Sequence, residues 1–251
     1  MQQSIKKIYF ISDFHLGAPN YESSLVREKK VVAFLDTIKY TAQEIFIVGD
    51  MFDFWYEYKK VVPKGYVRLL GKLAELTDSG ISIHFFIGNH DMWMNGYFEK
   101  ELNIPVYYQP EIFERFGKKL FIGHGDGLGP GDEGYKFIKK IFRNKMCQWL
   151  FGVVHPSIGI GVANYFSRKS RQKTGNRDEI FLGEEKEWLI IYCKDVLRNE
   201  HYDYFIFGHR HLPLTVQLNS RSTYINLGDW IRNFTYAVFD GKTFELKKWE
   251  D

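Results

Sequence analysis

Five times along the chain an apolar run stops at a cluster of metal-binding residue types. The first run, Ile8-Tyr9-Phe10-Ile11, leads into Ser12-Asp13-Phe14-His15. The others lead into Gly49-Asp50-Met51-Phe52-Asp53, Gly88-Asn89-His90-Asp91, Gly123-His124-Gly125-Asp126 and Gly208-His209-Arg210-His211. Short runs rich in aromatic and β-branched residues read as buried strands. Alternate residues of an extended chain share a face, so Asp13 and His15 project together from the end of the first run. Open α/β sheets gather their ligands at the carboxyl ends of strands. Glycine precedes four of the five clusters, where it permits a sharp turn and close approach of backbone to a ligand.

Between these runs the pattern predicts helices over 23–40, with Ser23 as cap, and over 64–77, closed by the Asp78-Ser79-Gly80 turn. The strands are expected at 7–12, 44–48, 81–87, 119–122 and 203–207, and residues 214–249 read as antiparallel strands. Residues 132–151 carry Ile138, Ile141, Phe142, Met146, Trp149 and Leu150 at helical spacing, with Lys136, Lys139, Lys140 and Arg143 as a basic stripe on another face. A second helix is expected at 156–171. We read 132–182 as a helical cap inserted into a single domain spanning 1–251. Its aromatic residues are expected to form mainly the cap's own core, and its basic stripe is as compatible with a solvated face as with a ligand.

The length of 251 residues supports one large core, with or without such a cap. A net charge of +3 gives no footprint for a nucleic acid polymer, and no obligate protein partner is evident. Two cysteines, Cys147 and Cys193, make no disulfide framework and fit a reducing compartment. There is no secretory h-region, and no apolar run approaches the roughly 18 residues of a membrane span. A cytoplasmic protein is expected, soluble or peripheral on the inner membrane surface.

The clusters offer carboxylates, imidazoles and one amide oxygen, with no thiolate. That set suits divalent Mn, Fe, Zn or Co. Asp13, His15, Asp50, Asn89, His124, His209 and His211 are more ligands than one tetrahedral ion needs; two ions sharing a carboxylate would use them all. The competing reading, polar residues that merely cap turns, requires five such turns to coincide. His84, His155 and His201 lie outside the clusters and are read as ordinary core or surface histidines.

Asp-x-His, Gly-Asp-x-x-Asp, Gly-Asn-His-Asp, Gly-His-Gly-Asp and Gly-His-x-His, in this order over residues 8–211, resemble the calcineurin-like metallophosphoesterases. The resemblance implies an α/β fold, α+β by some schemes. It would be a four-layer sandwich of two mixed sheets flanked by helices, here with a helical cap. It also implies two divalent ions, manganese first. Asp13, His15, Asp50 and His211 would hold one; Asp50, Asn89, His124 and His209 would hold the other. A bridging hydroxide would attack phosphorus in line, with His90 beside the scissile phosphate and Asp53 or Asp91 orienting it.

The segment from His124 to Asp132 further resembles the His-Gly-Asp-x-Leu-x-x-x-Asp signature of UDP-2,3-diacylglucosamine diphosphatases of the lipid A pathway. That resemblance implies cleavage of the substrate's pyrophosphate to 2,3-diacylglucosamine 1-phosphate and UMP. Asp132 would contact the glucosamine, and a cap would hold acyl chains. Phe137, Ile141, Trp149, Phe151 and Phe166 would line the acyl slot. Ser167, Arg171 and Thr174, with Ser170 and Arg177 as alternatives, would join Asn89, His90 and His209 in binding the head group. Better-known members of that family carry Arg where this chain has His90. Other readings are a different phosphoesterase or phosphodiesterase of the superfamily acting on a small phosphoester or nucleotide, and a non-catalytic scaffold. The scaffold reading meets a complete histidine set.

Overall fold

The computed structural model describes residues 6–131, 133–174 and 180–250, with the backbone alone over 168–174. Eleven strands form two sheets among the described residues. The first sheet runs in the order β11-β10-β1-β2-β3-β4. Its strands are β1 (Lys7–Ile11), β2 (Ala42–Val48), β3 (Ser82–Phe86), β4 (Val106–Tyr107), β10 (Thr235–Phe239) and β11 (Phe244–Lys248). β1 to β4 pair in parallel, and β10 and β11 add antiparallel at one edge. The second sheet, β5-β6-β7-β9-β8, contains β5 (Glu111–Arg115), β6 (Lys118–Ile122), β7 (Tyr204–Phe207), β8 (Leu214–Asn219) and β9 (Ser222–Asn226). Its central pairs β6–β7 and β7–β9 are parallel.

Alternation along β1 explains the layering. Ile8 and Phe10 face the second sheet, in a cluster with Phe46, Leu120, Ile206 and Phe239. Tyr9 and Ile11 face the opposite way, into a cluster with Phe34, Leu35 and Leu73 from α1 (Tyr21–Ile38) and α2 (Val67–Asp78). A third cluster joins Phe205 and Phe207 to Leu189 and Cys193 of α7 (Trp188–Val196). Helices, sheet, sheet and helix thus make the four-layer sandwich. A two-pronged ion pair from Arg115 of β5 to Glu44 of β2 ties the sheets at one side, with distances of 2.6 and 2.7 Å. His84 of β3 joins it at 2.7 Å.

The expected strands lie within a residue or two of their predicted places. Helix α1 starts earlier than expected: Asn20, not Ser23, is its cap, and its side chain accepts from the Ser23 backbone N–H. The long helix expected over 132–151 is two helices, α4 (Glu133–Arg143) and α5 (Lys145–Val153). Asn144 divides them by accepting from the N–H groups of Met146 and Cys147, which starts a new helix. Helix α6 (Pro156–Thr174) follows. Helix α3 (Tyr97–Glu101) completes the set.

Candidate metal centre

Because β1, β2, β3, β6 and β7 run parallel within their sheets, their carboxyl ends meet along one rim of the sandwich. Backbone pairing carries the register of β1 and β2 into the loops: Asp13 N–H donates to Gly49, and His15 N–H to Asp50. The two sheets are joined at the rim itself. His209 N–H of the second sheet donates to the Asp13 carboxylate at 3.0 Å, and His124 Nδ1 donates to the Val48 carbonyl at 2.9 Å. Asp13, His15, Asp50, His209 and His211 all have left-handed backbone, with φ between 43° and 67°. Five of nine such non-glycine residues among those described are therefore candidate ligands. Strain of this kind persists where surrounding structure over-determines it, and it clusters at working sites. Two glycines are fixed by close approach: a Cβ on Gly88 would overlap the Asp50 carboxylate, and one on Gly208 that of Asp13.

The side chains converge. His15 Nε2 lies 3.1 Å from His211 Nε2, 3.5 Å from Asp50 Oδ2 and 3.7 Å from Asp13 Oδ1. His211 Nε2 is 3.2 Å from Asp13 Oδ1. On the other side, His124 Nε2 lies 3.3 Å from the same Asp50 oxygen and 3.2 Å from Asn89 Oδ1. Ligand atoms of Asp13, His15 and His211 form one cluster within 4.8 Å, and those of Asp50, His124 and His209 form another. Asp50 Oδ2 stands between them.

The donor chemistry fits cations. With Nδ1–H of His124 committed to a carbonyl, its Nε2 presents a lone pair to two oxygen acceptors, Asp50 and Asn89. Three lone pairs aimed at one another repel unless a proton or a metal ion lies among them. Asp13 Oδ1 is likewise buried with no hydrogen-bond donor. The charges respond accordingly. Burial alone would lower the His15 and His124 pKa values, yet Asp50 and its neighbours push them up to about 9 and about 10. Burial and the His124 charge hold His209 down to about 4. Against burial, the surrounding imidazoles hold Asp13 and Asp50 well below the ordinary carboxylate range.

His90 stands at the edge of this group. Its backbone N–H donates to Asp50 Oδ1 at 2.9 Å, and its ring lies edge-on to that of His15 at 4.8 Å. His90 Nδ1 donates to the Asp53 carbonyl at 3.0 Å and lies 3.6 Å from the Asp53 carboxylate, which is also 3.7 Å from His15 Nδ1. Asp53 is thus the residue that orients His90. Asp91 is not: its fully buried carboxylate accepts from the N–H groups of Met51, Phe52 and Gly88, bracing two rim loops together. Burial and the Asp50 charge push it up to about 7.

Ser167 of α6 reaches this point, with Oγ 3.2 Å from His90 Nδ1. Asp132 and Arg177 lie outside the described residues, as do the side chains of Ser170, Arg171 and Thr174.

The cap corrects the expectation that its aromatic residues form an internal core. Phe151 packs on Phe54, Tyr56 and Trp93, and Phe142 on Trp93, seating α4 and α5 on the sandwich. Phe137, Trp149 and Phe166 instead lie exposed, as do Ile141, Met146, Leu150 and Val153. The five expected acyl-slot residues therefore divide: Phe151 faces the sandwich, while Phe137, Ile141, Trp149 and Phe166 face outward.

Sequence reading passed over two positioning groups. Arg27 of α1 is buried and donates to the backbone carbonyls of His15 and Ala18. Arg210 is buried between two candidate ligands and paired with Glu187. A charged residue inside an otherwise metal-binding motif was the available signal for the second.

A family model for calcineurin-like phosphoesterases matches residues 6–213, the span that holds every cluster described above. The chain belongs to the calcineurin-like phosphoesterase family. Among curated relatives of this phosphoesterase, the UDP-2,3-diacylglucosamine hydrolase of Porphyromonas gingivalis is 40% identical, with 98% of each chain covered. The protein of the same name from Histophilus somni is 28% identical over 90% of this chain and 93% of its own. That from Photorhabdus laumondii is 28% identical over 94% and 96%.

Proposed function

We propose that this phosphoesterase hydrolyses the pyrophosphate of UDP-2,3-diacylglucosamine, giving 2,3-diacylglucosamine 1-phosphate and UMP. The observation that carries this reading is the Asp50 carboxylate set between two ligand clusters, beneath a cap whose outer face is apolar. The named relatives, covered almost end to end, support the choice of substrate. Asp13, His15, Asp50 and His211 would hold one divalent ion, and Asp50, Asn89, His124 and His209 the other; manganese suits this oxygen and imidazole set. Such a pair supplies an activated water and charge neutralisation on phosphorus oxygens.

The chain's own groups do the rest. Hydrolysis joins the oxygen of water to one phosphorus and breaks the P–O bond to the bridging oxygen, which leaves on the other phosphate. The water's proton must be removed and the leaving oxygen's charge met. His90 stands where it can do the second: with Nδ1–H given to the Asp53 carbonyl, its Nε2 is the nitrogen that gives or takes a proton. Ser167 beside it would position the sugar phosphate, and Asp132, Arg171 and Thr174 remain our candidates for the head group. Residues 132–182 would act as the cap.

The exposed apolar surface of α4, α5 and α6 supports work at a lipid surface, where acyl chains enter from a bilayer. No helix among the described residues is long and apolar enough to cross a membrane. We place the protein on the cytoplasmic side of the inner membrane. The test is release of UMP from UDP-2,3-diacylglucosamine with Mn2+, run beside a generic aryl phosphate ester. The lipid nucleotide is expected to be strongly preferred. A preference for the aryl ester would favour the broader phosphoesterase, a reading supported by His90 in place of the usual Arg.

A further inference from the structure

A cavity of about 380 Å3 opens beside His124. Of the candidate ligands it touches His124 alone, and neither His90 nor Ser167 lines it. One wall is aromatic, formed by Tyr107 of β4 and Tyr108 next to it. The facing wall is the basic stripe of α4: Lys136, Lys139, Lys140 and Arg143. Their spacing of three and four residues places all four on one helical face.

These cations are not equivalent. Lys139 is matched by the Asp126 carboxylate at 2.5 Å, and Lys136 by Glu133 at 2.8 Å. Arg143 donates to the Tyr108 carbonyl at 2.7 Å and meets no carboxylate among the described residues. Lys140 makes no hydrogen bond or ion pair there. Both stand in the last turn of α4, where positive charge suits the helix dipole. A residue pointing anywhere into solvent would serve the dipole equally well, whereas these two line a concavity that ends at a metal-ligand candidate. The volume falls within the roughly 300–1,000 Å3 of small-molecule sites. Two uncompensated cations, an aromatic wall and an opening onto the metal centre together suit an anion with a planar ring attached.

We propose that this cavity holds the nucleotide half of the substrate, a nucleoside monophosphate unit. Lys140 and Arg143 would take its phosphate and Tyr108 would lie against its base. The inference rests on the function proposed above and deepens it. The two faces of α4 then divide the labour: the apolar face toward acyl chains, the basic face toward the nucleotide.

The test uses the full chain loaded with Mn2+ and titrates UMP or inorganic phosphate by calorimetry. For K140Q/R143Q the dissociation constant for UMP is expected to rise about tenfold, while that for inorganic phosphate, which the metals alone can bind, stays within twofold. Y108L is expected to weaken UMP and leave phosphate unaffected, and K242Q, in the remote β10–β11 turn, to change neither. Circular dichroism checks that each variant is folded. Unchanged UMP binding in K140Q/R143Q would overturn the proposal, as would equal weakening of UMP and phosphate, which marks a general anion site. Charge-dependent UMP binding without turnover of UDP-2,3-diacylglucosamine would instead overturn the substrate assignment and leave the nucleotide cavity standing.

Discussion

Arg210, between His209 and His211, is buried and makes a two-pronged ion pair with Glu187 at 2.7 and 3.0 Å. Its guanidinium also lies 4.5 Å above the Trp188 ring and donates to the Ile180 carbonyl. The segment leading into α7 thereby holds the loop that carries two candidate ligands. Removing one member of a buried pair leaves the other charge uncompensated. We expect Glu187→Ala to destabilise the metal-free protein by about 3 kcal/mol and to weaken Mn2+ binding by about tenfold. Thermal unfolding and metal titration measure the two effects, and unchanged metal affinity would show that the pair merely stabilises the fold.

The place of Asp50 between the clusters predicts that Asp50→Asn abolishes turnover and reduces bound metal from two ions per chain. Elemental analysis after gel filtration, beside an activity assay, checks both. Near-normal hydrolysis would refute the two-metal assignment.

Proton competition sets the pH dependence of metal loading. His15 and His124 must be neutral to bind metal, yet in the metal-free site they are pushed up to about 9 and about 10. Protons therefore compete throughout the physiological range, and the apparent Mn2+ affinity should rise steadily from pH 6 to pH 9. The same raised values mean that the two imidazoles stabilise the metal-free fold fully below the ordinary histidine pKa of about 6.5. That contribution is lost as pH rises through their folded values. The metal-free protein should thus melt lower at pH 10 than the other groups account for. A Mn2+ affinity independent of pH would contradict this account.

Glu44 has the opposite sign. Despite its burial, Arg115 and His84 hold its carboxyl down to about 2. Its stabilisation is present above the unfolded value of about 4.5 and lost as pH falls toward 2. Glu44→Ala should cost about 2 kcal/mol at pH 7, the partly exposed Arg115 being able to recover water. Denaturant unfolding at pH 7 and at pH 3 should show a smaller difference between variant and parent at the lower pH.

Ser167, close to His90, lies far along the chain from every rim loop. Ser167→Ala is expected to lower kcat/KM for the lipid nucleotide about tenfold while leaving the bound metal unchanged. Steady-state kinetics with elemental analysis would decide, and loss of metal instead would place Ser167 among the supports of the centre.

The metal centre was legible because each donor follows an apolar run, and parallel strands carry their ends to one rim without further information. The single helix over 132–151 was misread because apolar spacing continues through Asn144; only the side chain's bonds to the next turn reveal the break. Asp91 stood beside Asp53 as an alternative because it adjoins His90 in sequence; adjacency says nothing of direction, and three backbone donors turn its carboxylate elsewhere. Arg210 and Glu187 lie 23 residues apart, and a pairing at that range leaves no local pattern to read.

The bonds from His209 to Asp13 and from His124 to Val48 stitch opposite halves of the sandwich at the rim. During synthesis the complete donor set therefore waits for both sheets. A chain still on the ribosome lacks two imidazoles until His211 has emerged, even though pairing within the first sheet already ties the β1, β2 and β3 loops together. A centre shared between two sheets is completed only when the loop after β7 meets the rim of the first sheet.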